Sequence, residues 1–188
     1  MKPLSILVLS FLLSLACAAQ KNATPIAVVK LPLDSITNLV AYEMVVPVQG
    51  ATSDMLYKRA LEWFHAYYKN PTEVIRESDV EKGKILGKPR FKIYNPADKE
   101  GLKTDAGAMQ YTITIAVKQG RYKYELTAFN WKQPSYYAIE RWMDTKAPGY
   151  TPVYNHYLTQ TDEYVKDLLR NLKAAMASDK TAKDKDNW

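Results

Sequence analysis

The chain has 188 residues, 47% of them apolar and 12% aromatic, with 26 Lys and Arg against 20 Asp and Glu for a formal net charge of +6. This composition excludes a disordered polyelectrolyte, and the length suits one domain with its own core. A single cysteine excludes a disulfide framework, and two histidines without H-x-x-x-H or H-E-x-x-H spacing supply no zinc motif.

Residues 1–19 have the three parts of a secretory leader. Lys2 carries the charge, Leu4 to Leu15 form an apolar run broken only by serines, and Ala16 to Ala19 offer small residues for cleavage. The run is too short to span a bilayer. The expected mature chain starts at Gln20 and is periplasmic or secreted. The alternative makes Cys17 the lipid-bearing residue of a lipoprotein, but Ser14 stands where such signals carry an aliphatic side chain. Residues 20–38, with Pro25, Pro32 and Asn38, read as a tether, and 39–177 as a single domain. In 178–188, Lys180, Lys183 and Lys185 alternate with Asp179, Asp184 and Asp186, the pattern of a disordered charged tail.

Within the domain, Tyr42, Met44, Val46 and Val48 alternate as in a strand, which Gly50 ends. Ser53 is placed to cap a helix whose Leu56, Ala60, Trp63, Phe64 and Tyr67 form a core-facing stripe, and Asn70-Pro71 stops it. A short strand is predicted near Glu73 to Asp79 and a longer one from Lys84 to Tyr94, with Gly83 and Gly87 marking a bulge or bend. Met109–Lys118 and Arg121–Trp131 both alternate, and Gln119-Gly120 between them predicts a tight hairpin. Thr159 or Thr161 opens a last helix with Val165, Leu168, Leu169, Leu172 and Met176 on one face. The order β-α-β-β-β-β-α predicts an α+β fold: one antiparallel sheet of about five strands with two helices on one face.

Three stretches carry a resemblance. Tyr57 to Phe64 (YKRALEWF), Gly83 to Lys88 (GKILGK) and Tyr111 to Tyr124 (YTITIAVKQGRYKY) resemble an exported Bacteroidetes family of unknown function, numbered 4468, over about residues 40–131. The resemblance implies a TATA-binding-protein-like fold, in keeping with the element order. It transfers no catalytic or cofactor role, and a fold name does not bring DNA binding with it.

Catalytic motifs are scarce. There is no G-x-S-x-G elbow, no S-x-x-K pair and no glycine-rich phosphate loop. His65 reads as a boundary residue of the first helix, and His156 lies in an aromatic stretch. Glu140 and Asp144 would form an i, i+4 carboxylate pair if that stretch is helical, although such pairs are usually solvated surface. Strict alternation puts Thr112, Thr114 and Lys118 on the outer sheet face with Arg121, Lys123, Thr127, Phe129 and Trp131. Lys88, Arg90 and Lys92 share one parity on the preceding strand, where Pro89 can break the phase. A basic face with aromatics could hold an anionic chain, or be ordinary β surface whose aromatics are covered by the loop after Trp131.

That loop, Lys132 to Tyr157, carries Tyr136, Tyr137, Trp142, Tyr150, Tyr154 and Tyr157, as suits a sugar or peptide platform or a lid completing the core. The candidate binding residues are thus Arg90, Lys92, Lys123, Phe129, Trp131, Tyr136, Tyr137 and Trp142. The expected function is an exported, non-enzymatic module without a cofactor, binding an envelope protein or an anionic or glycan ligand. The export signal argues against nucleic acid. The alternative is an envelope hydrolase acting on glycan or lipid through Glu140 and Asp144.

Overall fold

The structure, a computed structural model, describes residues 29–132 and 135–177. The leader, the first part of the 20–38 segment and the charged tail at 178–188 lie outside the described residues. The strands are β1 (Tyr42–Pro47), β2 (Ile75–Asp79), β3 (Lys84–Gly87), β4 (Arg90–Tyr94), β5 (Asp105–Lys118), β6 (Arg121–Lys132) and β7 (Tyr136–Ala138). The helices are α1 (Ser53–Tyr67), the single turn α2 (Pro71–Val74) and α3 (Val153–Ala177), with a 3-10 helix at Ile139–Trp142.

The hairpin β5–β6 is the spine of one antiparallel sheet ordered β1-β6-β5-β3-β2. Lys118 pairs with Arg121 across the Gln119-Gly120 turn, where Gly120 takes φ 72°, a conformation that a residue without Cβ adopts at no steric cost. The expected α+β fold with an antiparallel sheet is present. The long strand over Lys84–Tyr94 is instead two strands, β3 and β4, both paired to β5. Pro89 has no N–H for a ladder, so the chain breaks there. The Lys88 N–H turns to Val74 O (2.8 Å), and Pro89 O accepts from the Tyr111 N–H (3.1 Å). The strand expected near Glu73 begins only at Ile75, because Pro71 at its first position favours the helical turn α2.

α1 is capped one residue earlier than expected, by Thr52, whose hydroxyl accepts from the Met55 N–H (3.2 Å). Its Leu56, Ala60, Trp63 and Phe64 are buried against Ile85, Ile113 and Ile115 of the sheet. α3 begins well before Thr159. The hydroxyls of Thr159 and Thr161 donate back to the carbonyls of Asn155 and Tyr157 inside the helix (both 2.9 Å) and cap nothing. Residues 29–38 do not hang free as a tether. Leu31 is buried in the core, the Val29 N–H reaches Asn155 Oδ1 (2.7 Å), and Leu33 bridges Val40.

β6 contains the most consequential local feature. Thr127 pairs with Thr112 and Asn130 with Gln110, so Ala128 and Phe129 together oppose Tyr111 alone. This is a β-bulge, with Ala128 at φ 53°. It reverses the side-chain alternation for the rest of the strand.

Tyrosines line the buried layer. Tyr111 Oη lies 3.1 Å from Tyr68 Oη and 3.2 Å from Tyr164 Oη, while Tyr42 Oη donates to Asp162 (3.0 Å). Burial pushes the phenols of Tyr42, Tyr68 and Tyr111 well up, and that of Tyr122 to about 12. Unfolded tyrosines ionise near pH 10, so above that pH the unfolded chain releases protons that the folded one retains. The stabilisation is complete below pH 10 and is lost as pH rises toward and beyond 12. Denaturation midpoints are expected to fall across this range, with tyrosinate absorbance appearing together with unfolding. Ionisation of these phenols at pH 10 with the fold intact would contradict their burial.

Candidate functional site

α1, α3 and the 3-10 helix all pack on one side of the sheet. The eight candidate residues divide between its two faces. Arg90 and Lys92 pair with Gln110 and Ala108, and Lys123 with Val45 and Ala116, all on the face away from the helices. Tyr136, opposite Lys132, joins them and is 68% exposed.

The other four are on the helix side. The outer-face placement of Phe129 and Trp131 is corrected by the bulge at Ala128. Phe129 is buried and stacks on Tyr111 with ring centroids 5.5 Å apart. Trp131 pairs with Met109, donates its Nε1–H to Ala106 O (2.8 Å), and meets Trp142 at 5.4 Å and Tyr157 at 6.0 Å. Trp142 is fully buried and stacks on Tyr154 (5.4 Å), and Tyr137 sits between Trp131 and the guanidinium of Arg141, 5.1 Å above its ring. The aromatic stretch after β6 therefore folds as β7, the 3-10 helix and the first turns of α3, and closes this end of the core.

The carboxylates singled out for hydrolysis do not form a pair on a helix. Glu140 accepts the Val40 N–H (2.7 Å), pinning the N-terminal segment, and Asp144, beyond the 3-10 helix, accepts the Lys146 N–H (3.0 Å).

Electrostatics divide the outer face further. Lys123 lies 2.6 Å from Glu43 and 3.5 Å from Glu125, Lys84 is 3.2 Å from Glu77, and Lys92 is 2.9 Å from Asp105. These partners hold the ammonium groups of Lys123 and Lys92 above their usual pKa and neutralise much of the basic strip. Around the β3–β4 break the balance differs. The β2–β3 ladder stops at Ile75–Gly87, so a notch opens between the start of β2 and the outer edge of β4. Two adjoining depressions there, of about 690 and 510 Å³, share Arg76, Lys88, Gln110 and Lys132 in their walls. The larger adds Tyr136, the smaller Lys69 and Arg90. Two carboxylates also reach the walls, Glu73 and the Glu77 that Lys84 already holds. Lys69, Arg76, Lys88, Arg90 and Lys132 form no ion pair among the described residues. Arg76, Gln110 and Lys132 were not among the sequence candidates. Gly87 and Pro89 are the local signals that the strand breaks here.

Residues 42–132 match the sequence profile described as "Domain of unknown function (DUF4468) with TBP-like fold". This segment is a DUF4468 domain. The match runs from β1 to the end of β6, so β7, the 3-10 helix and α3 lie beyond the matched DUF4468 segment. Two crystal structures share the fold. A DUF4468 family protein from Bacteroides ovatus ATCC 8483 superposes with a TM-score of 0.61 at 18% identity, covering 78% of this chain and 91% of that one. A TBP-like protein from Parabacteroides distasonis ATCC 8503 gives 0.60 at 16% identity, covering 77% and 96%. These likenesses extend past the DUF4468 segment and show its architecture. Among curated proteins, none matches the chain.

Proposed function

We propose that the protein is an exported, non-catalytic binding module that holds a ligand or partner at the cell envelope on the uncovered face of its sheet. The observation that carries this reading is the one-sided packing: the helices and the aromatic segment after β6 lie on one face, leaving the other as a broad polar surface. Thr112 and Thr114 at its centre are half-buried. A sheet face lined by polar side chains on rigid strands suits recognition, because little order is lost on binding. The leader at residues 1–19 supports the envelope as the place.

The test is an array of envelope glycans, lipid vesicles and envelope proteins, probed with the wild-type chain and with a Thr112→Glu/Thr114→Glu variant. Binding abolished in a variant with an unchanged melting curve supports the reading. Binding indifferent to this and every other outer-face substitution, or turnover of an array component, overturns it.

A further inference from the structure

We infer that the notch between β2 and β4 is a binding site for an acidic polysaccharide chain, an assignment that rests on the binding-module reading above. Five cations, Lys69, Arg76, Lys88, Arg90 and Lys132, reach the notch from the α1–α2 connection, β2, the β3–β4 connection, β4 and β6. Like charges gathered without ion-pair partners repel one another, and an anion would relieve that repulsion. By contrast Lys84, Lys92 and Lys123 on the same face each stand beside a carboxylate, while Lys118 and Arg121 lie apart at the hairpin end.

The layout selects the shape of the anion. Arg90 on β4 and Lys132 on β6 are two strands apart, roughly 10 Å at the usual strand spacing. The cations line an open trough instead of converging on a point, which suits charges repeated along a chain and not a single free phosphate. Gln110 lines both depressions from β5, between β4 and β6, and its side-chain amide is a donor and acceptor for sugar hydroxyls. At the rim of the trough Tyr136 offers an exposed ring on which a sugar can stack. A lipid headgroup would call for apolar side chains beside the cations, yet the exposed Leu33, Ile36, Leu39, Met44 and Val45 belong to the opposite edge of the sheet, on and before β1, and the exposed Val80 after β2 and Tyr94 on β4 line neither depression. A protein partner would call for a cluster of exposed apolar anchors, whereas the Tyr68, Val74, Leu86 and Pro89 of these walls are buried or half-buried and Tyr136 is the one exposed aromatic ring among the lining residues.

Polygalacturonate and chondroitin sulfate are the probes, titrated into the full chain at low and high salt, with single-stranded DNA and phosphatidylglycerol vesicles as competitors. Binding is expected to weaken as salt rises. Arg90→Ala/Lys132→Ala should reduce affinity by roughly tenfold or more, since two charge-assisted contacts are lost. Arg76→Ala/Lys88→Ala should do the same. Lys118→Ala/Arg121→Ala, which removes two exposed cations at the far end of the hairpin, should leave it unchanged. Tyr136→Ala should weaken polysaccharide binding with the melting curve unmoved. Equal loss in all the paired variants would reduce the site to diffuse charge and overturn it. So would tighter binding of DNA or vesicles than of either polysaccharide. If the notch variants bind like wild type while Thr112→Glu/Thr114→Glu does not, the notch assignment fails and the module reading stands.

Discussion

Trp63→Ala is expected to lower stability by about 4 kcal/mol. The indole is 3% exposed and sits between α1 and α3. It stacks on Tyr67 (5.0 Å), meets Phe64 and Tyr68 edge-on (5.2 and 5.6 Å), and donates Nε1–H to Asn171 Oδ1 on α3 (2.8 Å). Truncation removes the buried area, leaves a cavity among rings that cannot all collapse into it, and orphans the Asn171 oxygen. Urea denaturation with an unchanged slope would read the effect cleanly. Trp63→Phe serves as the comparison, retaining most of the packing and losing the hydrogen bond, at about 1 kcal/mol for that bond. A Trp63→Ala midpoint within experimental error of wild type would show that α1 does not anchor here.

Trp131→Ala is expected to cost about 3 kcal/mol, somewhat less because this indole is only partly buried. The next residue gives the contrast. Lys132→Ala, on the opposite face and exposed, should change stability by less than about 0.5 kcal/mol. Under strict alternation from Arg121, the two residues would have exchanged faces and the two effects would be reversed. The pair of melting curves therefore tests the bulge itself. Equal small losses at both positions would mean that the aromatic segment after β6 does not cover this end of the sheet.

Local periodicity carried much of the fold. The β5–β6 hairpin and the α1 stripe were legible because their patterns run long and their turns use residues suited to them. What stayed hidden depended on neighbours distant in sequence. Ala128 gives no sign of a positive φ, as a glycine there would, so alternation carried Phe129 and Trp131 to the wrong face. The basic strip was read by counting cations along strands. Glu43, Glu77, Glu125 and Asp105, which pair with its lysines, come partly from other strands that only the register brings alongside. Conversely, Arg76 and Lys132 lie far apart in sequence, and nothing local in either segment foretells the notch they share. The aromatic segment after β6 covers the core because α3 starts at Val153 and brings Tyr157 against Trp142, a contact between elements that no local pattern signals.

The bulge also makes β6 behave like a text with a change of reading frame. Straightening the bulge at constant length would rephase every residue downstream: Phe129 and Trp131 would be turned to water, and Asn130 and Lys132 carried under the helices. Deleting Ala128 would instead leave Phe129 alone opposite Tyr111, with the pairing and both faces beyond it unchanged. β6 thus carries one residue more than its pairing with β5 requires, and a single deletion should be better tolerated at Ala128 than at any paired position of β5.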